Sequence, residues 1–482
     1  MFIGLDLGTS GVRALLVAGD GAPLISADAP LTAAHPHPGW SEQEPSDWIT
    51  ASSAALRELV ARAPDAVKQL KGIGLSGQMH GATLLDGAGV VLRPCLLWND
   101  TRSHVQAARL DAMPDFRELS GNIVFPGFTA PKVLWVAENE PDIFKRTAKV
   151  LLPKDYLSYW LTGHMVSDMS DSAGTSWLDV GARAWSDRLL EASGMTRAQM
   201  PDLLEGTGIV GMLRPELAAE LGLPDGVQVV AGGGDNAASA CGVGTLAEGD
   251  GFVSLGTSGV LLAAREGFAP RPESAVHTFC HAIPDTWYQM GVILSATDSL
   301  NWLARITGAK PAELTGELGA LTAPGTLRFL PYLSGERTPH NDSAVRGAFT
   351  GLDIGSDRAD LTRAVIEGVS FALRDNLEAL KSTGARLDRV LAIGGGTRSR
   401  YWVELLATIL GLPVDMPQQG EFGAALGAAR LAICGVTGAA PKSVMTRPPV
   451  AETIDPRADL APAYDAAYAD FADAYPALKA MP

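Results

Sequence analysis

The sequence has few cysteines and few positive charges for its length of 482 residues. Its four cysteines are widely separated and form no Cys-x-x-Cys pair, which disfavours a zinc site or a disulfide framework. The 38 Lys and Arg residues are outnumbered by 54 Asp and Glu residues, and this net charge of −16 argues against a general binder of nucleic acids or anionic membranes. No apolar run approaches the roughly 18 residues of a membrane span, and Asp6 interrupts the apolar stretch that a signal peptide needs. We therefore expect a cytoplasmic protein.

Several common catalytic motifs are also missing. The chain contains no Gly-Lys dipeptide, which excludes a Walker A loop and its phosphate-binding lysine. It contains no His-Glu-x-x-His and no Gly-x-Ser-x-Gly, which disfavours a zinc metalloprotease and an α/β-hydrolase. Several Gly-x-Gly-x-x-Gly/Ala matches occur, including those that begin at residues 72, 232 and 242, but none opens an N-terminal βαβ unit, so a dinucleotide-binding dehydrogenase is disfavoured.

Glycine is abundant, with 53 residues, and one glycine-containing hexapeptide occurs twice. Leu-Gly-Thr-Ser-Gly-Val occupies residues 7–12 and again 255–260, an offset close to half the chain length. Each copy lies between two short apolar runs, the pattern of a β-hairpin with Gly-Thr-Ser-Gly in its turn. Coincidence between two glycine-rich turns is the alternative, but identity over six residues favours a duplication. We therefore expect two lobes of similar core, joined near residues 243–250.

Predicted strands and helices alternate along the chain, which indicates an α/β protein with mixed sheets. Short buried strands are predicted at Gly72–Leu75, Val90–Leu97, Gln228–Ala231, Arg328–Leu330 and Val390–Ile393. Longer helices are predicted at Pro45–Ala63, Arg358–Leu380 and Ser399–Leu410. A stripe of aromatic residues at helical spacing near the C-terminus, formed by Tyr464, Tyr468, Phe471 and Tyr475, is expected to pack on the body of the protein.

The two repeated turns carry groups that suit phosphate. Each Gly-Thr-Ser-Gly offers several backbone N–H groups and two hydroxyls, and such a concavity binds phosphate oxygens without a net positive charge. Asp6 stands at a strand end beside the first turn, where a carboxylate can reach Mg²⁺ or its waters. Either turn alone is equally explained as an ordinary tight hairpin. The pair together with the acid favours two phosphate-binding elements that face each other across a cleft.

A third glycine-rich loop and one further acid follow predicted strands. Residues 394–396 are three consecutive glycines before a predicted helix, where a flat base and ribose can lie against backbone, although a packing turn explains them equally well. Asp235 follows residues 232–234, also three glycines, and stands near the start of the helix predicted at residues 237–244. That position favours its ionised form. It suits either a helix N-cap or a base that accepts the proton of a hydroxyl during phosphoryl transfer.

Polar and aromatic residues follow two other predicted strands. Gln78, Met79 and His80 lie between two glycines that allow a small substrate to come close, although a lone histidine is more often structural. Trp98 and Asp100 follow the second strand, where the indole is equally a core residue and the carboxylate needs hydroxyls or Arg102 as partners. The acid and arginine at positions 336 and 337 lie in a polar loop. They either pair with each other or order the domain interface, and a solvated loop is an equally good interpretation; we assign them no chemistry.

At this point the chain resembles a known group of proteins. Its Asp-x-Gly-Thr-Ser, its second Gly-Thr-Ser-Gly and its Gly-Gly-Gly loop resemble the two phosphate elements and the adenosine element of the actin, Hsp70 and hexokinase superfamily. Within that superfamily the chain resembles the FGGY carbohydrate kinases over essentially its full length. Six segments resemble the members that act on D-xylulose: Gly77–Gly81, Leu97–Asp100, Leu151–Tyr156, Ser167–Asp171, Gly233–Asn236 and Pro331–Pro339.

The resemblance implies a fold and an activity. The expected fold class is α/β, with two ribonuclease H-like, actin-like ATPase domains of duplicated core and a cleft between them. The first domain would span residues 1–244 and hold the sugar pocket, and the second would span 245–482 and hold the adenosine site. The implied reaction transfers the γ-phosphoryl group of ATP, with Mg²⁺, to a hydroxyl of a small sugar, here O5 of D-xylulose. Members of the family are often dimers, so a homodimer is expected.

The resemblance also implies roles for individual residues. Asp235 would be the general base. The sugar would contact Gln78, Met79, His80, Trp98, Asn99, Asp100, Asp235 and Asn236. ATP would contact Gly8, Thr9, Ser10, Arg13, Gly256, Thr257, Ser258, Gly394, Gly395, Gly396 and Ser399. Mg²⁺ would lie near Asp6 and Asp235.

Other functions remain open at this stage. Ribulokinase, gluconokinase and glycerol kinase share the phosphate elements, and only residues 78–80 and 98–102 argue against them. An Hsp70-like nucleotide switch or an actin-like polymer subunit would need no pocket for a small sugar. A sugar-responsive regulator with the same fold would have no need of a base, so the presence of both Asp6 and Asp235 weighs against it.

Overall fold

The repeated hexapeptide forms the turn of a β-hairpin in each half of the chain, as predicted. A computed structural model describes residues 1–418 and 423–480. In the first hairpin Leu7 pairs with Val12, and in the second Leu255 pairs with Gly259. Each hairpin lies in the middle of a larger mixed sheet, and these two sheets form the centres of two lobes.

The strands of the described residues are, in chain order, β1 (Phe2–Leu7), β2 (Gly11–Val17), β3 (Pro23–Pro30), β4 (Glu42–Gln43), β5 (Gly72–Gly77), β6 (Thr83–Leu85), β7 (Cys95–Leu96), β8 (Lys149–Leu151), β9 (Val166–Asp168), β10 (Leu178–Asp179), β11 (Ala184–Trp185), β12 (Asp202–Leu204), β13 (Ile209–Met212), β14 (Gln228–Gly234), β15 (Gly251–Leu255), β16 (Gly259–Arg265), β17 (His277–Cys280), β18 (Trp287–Ile293), β19 (Arg328–Leu330), β20 (Ala348–Thr350), β21 (Val390–Ile393), β22 (Val414–Pro417) and β23 (Val450–Ile454).

The α-helices are α1 (Pro45–Arg62), α2 (Pro64–Val67), α3 (His104–Asp111), α4 (Pro114–Ser120), α5 (Thr129–Asn139), α6 (Pro141–Arg146), α7 (Pro153–Thr162), α8 (Met169–Ser172), α9 (Asp187–Ala192), α10 (Pro215–Leu221), α11 (Asp235–Val243), α12 (Thr297–Thr307), α13 (Pro311–Gly316), α14 (Arg358–Ser382), α15 (Arg400–Leu410), α16 (Ala424–Thr437), α17 (Pro441–Val444) and α18 (Ala461–Lys479). Short 3-10 helices span Ala173–Thr175, Arg197–Gln199, Pro272–Ser274 and Gly395–Arg398.

The two sheets repeat one strand order, which supports the duplication. The first lobe carries the order β13-β14-β5-β1-β2-β3, and the second carries β17-β18-β16-β15-β21-β22-β23. In each sheet an antiparallel hairpin is extended on one side by an antiparallel strand and on the other by a strand parallel to its first arm. The helices that follow the outer parallel strands, α11 and α16, occupy equivalent places and pack on each other.

Helix α16 joins the two halves of the chain through close backbone contacts. Although it comes late in the sequence, it packs on β1 and β5 of the first lobe as well as on α11. A Cβ atom on Gly427 of α16 would lie only 1.7 Å from the carbonyl oxygen of Ala238 in α11. Only glycine allows this approach. Because α16 packs on β1, β5 and α11, the first lobe includes a helix from the second half of the sequence.

Most predicted elements form, with one clear exception. Val90–Leu97 was predicted as a strand, but only Cys95–Leu96 is one. Pro94 has no N–H to donate to a ladder, and the residues before it run as a loop. The aromatic stripe does pack inward as predicted: Tyr464 and Phe471 of α18 are fully buried. Among the described residues no helix combines the length and the apolar character needed to cross a membrane.

Candidate active site

The parallel strands of the first lobe bring three predicted site segments to one edge of the sheet. Asp6 lies near the end of β1, Gln78 follows β5 directly, and Asp235 follows β14 directly. β5 runs parallel to both β1 and β14, so their carboxyl ends meet at the same edge. In open α/β sheets this edge is where ligands bind.

A cavity of about 300 Å³ opens between the lobes at this edge. Its walls combine apolar and polar side chains, as expected for a small-molecule site. From the first lobe it is lined by Met79, His80, Trp98, Gly127, Phe128, Asp235 and Asn236, and from the second by Ser254, Gly256, Ser258, Val260, His277, Met290, Val292, Leu294 and Arg337. The structure thus brings five of the eight predicted sugar residues together.

Asp235 presents one carboxylate oxygen to this cavity. Its Oδ1 accepts hydrogen bonds from the backbone N–H of Asn236 at 2.7 Å and from that residue's Nδ2 at 2.9 Å. Among the described residues no hydrogen bond engages Oδ2. Gly234 is the helix N-cap and Asp235 the first helical residue, so the carboxylate does not cap α11. Burial, together with the negative charge of Asp6, raises the pKa of Asp235 to about 7, against the expectation that the helix start would keep the group readily ionised.

A buried group of charged and hydroxyl side chains holds the peptide that precedes Asp235. The Lys154 ammonium lies 2.8 Å from Oδ1 of Asp168. The hydroxyl of Ser170 donates to Oδ2 of Asp168 at 2.5 Å and accepts the backbone N–H of Gly234 at 3.1 Å. Two of the six resembling segments therefore fix the backbone at the start of α11 rather than line the cavity.

Asp6 has the properties of a metal ligand. Its Oδ1 is buried and has no hydrogen-bond partner among the described residues. Burial raises the pKa of Asp6 to about 6, against the lowering effects of Ser76 and Arg13. A nearby Mg²⁺ would offset both the loss of solvation and the repulsion between Asp6 and Asp235, and hard cations prefer carboxylate oxygens. These two residues therefore fit a Mg²⁺ ion.

His80 enters the cavity as a neutral ring with a fixed tautomer. Its Nδ1 lies 2.7 Å from the carbonyl oxygen of Gly174, which can only accept, so Nδ1 carries the hydrogen and Nε2 remains an acceptor. Burial lowers the pKa of His80 to about 3, with a smaller lowering from Lys132 and Arg337. The backbone of His80 is left-handed, with φ of 69°, which is uncommon for a residue other than glycine and is typical of functional sites.

Gln78 supports the first phosphate turn instead of lining the sugar cavity. It is buried, and its Oε1 accepts a hydrogen bond of 2.8 Å from the Thr9 hydroxyl. Its Nε2 donates to Oε1 of Gln43, whose own Nε2 donates to the carbonyl oxygen of Thr9 at 2.7 Å. Gln78 therefore lies beneath Thr9, held in this network, and is not among the residues that line the cavity.

The three residues after β7 have different surroundings. Trp98 is 43% exposed, lines the cavity and is not a core residue. Asn99 lines a separate shallow cavity that includes Trp40 and is not among the residues that line the cavity between the lobes. Asp100 is fully buried and forms a bidentate pair with Arg102, with Nη2 to Oδ2 at 2.7 Å, so its predicted partner is present but its predicted sugar contact is not.

The second phosphate turn and the glycine loop lie side by side. Gly256 and Ser258 line the cavity, whereas Thr257 is exposed at the tip of the hairpin. Gly394 and Gly396 pack against Leu255, the residue before this turn. Gly395 is exposed, and a Cβ atom there would meet nothing within 4 Å, so the loop has open space beside it.

Two predicted ATP residues have local partners, and two others lie at the tip of the first hairpin. Ser399 is the N-cap of α15, and its Oγ accepts the backbone N–H of Trp402 at 3.3 Å. Arg13 pairs with Asp28 at 2.7 Å and faces Asp6 across the first hairpin. Ser10 is exposed at the tip of that hairpin, beside the partly exposed Gly8.

Sequence analysis missed several side chains that line the cavity, among them one phenylalanine, one histidine and one arginine. Phe128 stacks on the His80 ring, with centroids 4.4 Å apart. His277 comes from β17 of the second lobe, and Arg337 from the loop that was interpreted as solvated. That loop is in fact packed: Glu336 is 3% exposed and accepts the backbone N–H of Leu294 at 3.0 Å. No motif marks Phe128 or His277, and Arg337, although it lies in the resembling segment Pro331–Pro339, was given no chemistry. Only the meeting of distant segments makes these residues neighbours of His80.

Comparisons with known proteins bear on the whole chain. Residues 1–242 match the N-terminal domain, and residues 251–436 the C-terminal domain, of the FGGY family of carbohydrate kinases. A xylulose kinase of Klebsiella pneumoniae is 48% identical over 451 residues, 93% of this chain and 92% of the relative. A xylulose kinase of Escherichia coli is 49% identical over 435 residues, 90% of this chain and 89% of the relative. The crystal structure of a xyloylose kinase from Brucella ovis superposes with a TM-score of 0.97 at 58% identity, covering 100% of this chain and 99% of that one. The predicted fold class is confirmed.

Proposed function

The chain belongs to the FGGY family of carbohydrate kinases, and we propose that it transfers the γ-phosphoryl group of ATP to O5 of D-xylulose, forming D-xylulose 5-phosphate. The observation that carries the proposal is the position of Asp235, whose carboxylate faces a small cavity beside two phosphate-type turns. Relatives called xylulose kinase, at 48% and 49% identity over most of the chain, support D-xylulose as the sugar.

Asp235 acts as the general base in this proposal. Asn236 holds Oδ1, and Oδ2 accepts the proton of the sugar hydroxyl as O5 attacks the γ-phosphorus atom. The transition state of phosphoryl transfer is usually loose, so a weak base that positions the hydroxyl is sufficient. When bound, Mg²⁺ neutralises charge on the phosphate oxygens, and Asp6 and Asp235 are the residues that would hold it or its waters.

The two turns hold the phosphates from opposite sides of the cleft. The N–H groups of residues 8–10 and 256–258, with the hydroxyls of Ser10, Thr257 and Ser258, donate hydrogen bonds to phosphate oxygens, which explains why the chain needs no Walker lysine. Thr9 takes part through its backbone N–H, because its hydroxyl already donates to Gln78. The open backbone of residues 394–396 supports the adenosine, with Arg13 and Ser399 at the edges of the nucleotide site. Closure of the lobes excludes water, so ATP is transferred to sugar and not hydrolysed.

The sugar lies between Met79, His80 and Trp98 of the first lobe and the walls of the second. The neutral Nε2 of His80 accepts a hydrogen bond from a sugar hydroxyl, and Asn236 contacts the sugar beside Asp235. The proposal also includes a domain boundary after residue 244, a homodimeric assembly and a cytoplasmic location. A cavity of this size beside the two turns favours a sugar kinase over a nucleotide switch, which needs no pocket for a small sugar. The competing kinases are ribulokinase, gluconokinase and glycerol kinase, which differ in the sugar that they phosphorylate.

The test is ADP release with Mg-ATP in the presence of no sugar, D-xylulose, D-ribulose, L-ribulose, D-gluconate or glycerol. The proposal expects turnover that depends on sugar and is fastest with D-xylulose. Turnover of another sugar would retain the fold and the base and overturn the specificity. Release of ADP without any sugar would favour a nucleotide switch.

A second measurement tests the base. Asp235→Asn keeps the shape of the side chain and removes the proton acceptor, and kcat is expected to fall by about 10²- to 10⁴-fold with little change in ATP affinity. Asp202→Asn, at an exposed acid in β12, is the matched control and should leave kcat unchanged. More than a tenth of the original kcat in Asp235→Asn would exclude Asp235 as the base.

A further inference from the structure

Two polar side chains at the second-lobe end of the cavity have no protein partner. The guanidinium of Arg337 lines the cavity, and within residues 1–418 and 423–480 it makes no hydrogen bond and no salt bridge. The His277 ring is 4% exposed, lines the same cavity, and its Nδ1 is buried without a hydrogen-bond partner in those residues. The Nδ1 of His277 is buried and the Arg337 guanidinium is partly buried at the cavity wall. Polar groups without a partner in such places are costly, so the two of them in one cavity indicate a ligand that supplies the missing contacts.

The rings of Phe125 and Phe128 form an aromatic floor beside the cavity, and Arg337, His277 and His80 all contact it. The guanidinium carbon of Arg337 lies 4.1 Å from the centroid of the Phe125 ring. The His277 ring lies 5.2 Å from Phe125 and 5.8 Å from Phe128, the ring on which His80 stacks. The aromatic floor thus gathers the two unpartnered groups beside His80.

Asp235 lines the same cavity from the first lobe, whereas Arg337 and His277 line it from the second. The hydrogen bonds of Asp235 go to Asn236, the next residue of α11. The positive charge of Arg337 acts on His80 and His277, lowering the pKa of both rings, whereas Asp6 is the charge that acts on Asp235. A sugar with its reacting hydroxyl at Asp235 therefore extends its other end toward Arg337.

We infer that Arg337 and His277 form the subsite for the end of the sugar remote from the reacting hydroxyl, which in D-xylulose is the C1 hydroxyl and the C2 carbonyl. This inference rests on the proposed function. The guanidinium provides donors in a rigid fork and no acceptor, which matches two adjacent oxygen acceptors. The neutral imidazole of His277 completes the subsite with one donor and one acceptor. The pair selects a substrate that has oxygen at both C1 and C2.

The subsite also gives the second lobe a role in sugar recognition. Met79, His80 and Asp235 come from the first lobe, whereas His277 lies on β17 and the backbone N–H of Thr338, next to Arg337, donates to Val292 of β18 at 3.0 Å. A sugar that contacts both sets links the lobes. Sites built to hydrogen-bond an oxygen reject an analogue that lacks it far more strongly than apolar pockets reject a missing methylene.

The test compares D-xylulose with 1-deoxy-D-xylulose, which keeps the reacting C5 hydroxyl and lacks O1, in the full-length enzyme with Mg-ATP. Wild type is expected to prefer D-xylulose in kcat/KM. Arg337→Gln should raise KM for D-xylulose about 10- to 100-fold, as expected for the loss of hydrogen bonds to a charged donor, while KM for ATP changes less than about twofold. The preference for D-xylulose over the analogue should shrink by a similar factor, and Arg337→Lys should recover part of it.

The control is Arg374→Gln, which removes another arginine that stacks on an aromatic ring, 4.3 Å above Tyr468, away from the cavity. It should leave both KM values unchanged. If KM for D-xylulose and for the analogue rise equally in Arg337→Gln, the arginine has only a structural role and the inference is overturned. If that variant does not fold, His277→Gln takes the same test, with the same loss of preference expected and an unchanged preference contradicting it. A wild-type enzyme inert toward D-xylulose would overturn the proposed function first.

Discussion

The indole Nε1–H of Trp98 donates a hydrogen bond of 3.0 Å to the hydroxyl of Thr9. Trp98 lines the proposed sugar cavity and Thr9 lies in the first of the two turns proposed to bind phosphate, so one contact joins the two proposed substrate sites. The same hydroxyl donates to Gln78 beneath the turn. The sugar and phosphate sites of the first lobe therefore share one polar network.

Trp98→Phe tests this connection. Phenylalanine keeps an aromatic wall for the sugar and loses the N–H donor to Thr9. We expect KM for ATP to rise about two- to tenfold, the effect of losing one neutral hydrogen bond, measured at saturating sugar. Thr9→Ser retains the hydroxyl and is the control, with a smaller change expected. An unchanged KM for ATP in Trp98→Phe would mean that the contact does not position the turn.

The raised pKa of Asp235 predicts a pH dependence of catalysis. The base is active when ionised, and its pKa is raised to about 7, so kcat/KM for the sugar should increase about tenfold per pH unit below pH 7 and level off above it. Raising the Mg²⁺ concentration should shift the midpoint to lower pH, because a bound cation favours both ionised carboxylates. A midpoint near pH 4 at every Mg²⁺ concentration would contradict this prediction.

The same shift predicts a pH-dependent stability. The folded state binds the proton of Asp235 more tightly than the unfolded chain, whose carboxyl has a pKa of about 4, so folding loses stability as pH rises from about 4 through about 7. Asp235→Asn removes this cost. In chelator at pH 8 the variant should be more stable than wild type, by up to about 4 kcal/mol for a shift of about three pKa units, and the advantage should shrink as pH falls toward 4. Denaturant melts at several pH values measure it, and an advantage that does not vary with pH would contradict it.

His80 can be tested with a substitution that respects its backbone. Alanine at φ of 69° would add strain to the loss of the ring, whereas asparagine tolerates the left-handed region. We expect both His80→Ala and His80→Asn to raise KM for the sugar about tenfold or more and KM for ATP less than about twofold. Equal increases in both constants for His80→Asn would place His80 outside the sugar site.

The sequence predicts those parts of the site that depend on strand ends, and misses those that depend on distant partners. Asp235 and His80 could be recognised because glycines and an apolar strand stand directly before them. The positioning role of Gln78 depends on Gln43, which is 35 residues away, and the burial of Asp100 depends in part on the backbone N–H of Ser41. Neither contact has a local signal. The place of Arg337 in the cavity wall could not be predicted for the same reason, since its loop becomes a cavity wall only when the two lobes meet.

Gly427 lies where the backbones of α16 and α11 approach each other very closely. A Cβ atom there would lie 1.7 Å from the carbonyl oxygen of Ala238, a backbone atom that cannot rotate away. Gly427→Ala must therefore push α16 from α11, the helix that begins with Asp235, and should cost at least about 2 kcal/mol of stability, the range for overpacked cores. Thermal melts measure the loss, and kcat should fall with it because the base moves. Gly316→Ala, at an exposed glycine with open space around it, is the control and should leave Tm unchanged. Equal Tm values for the two variants would show that these helices do not pack at the distance described.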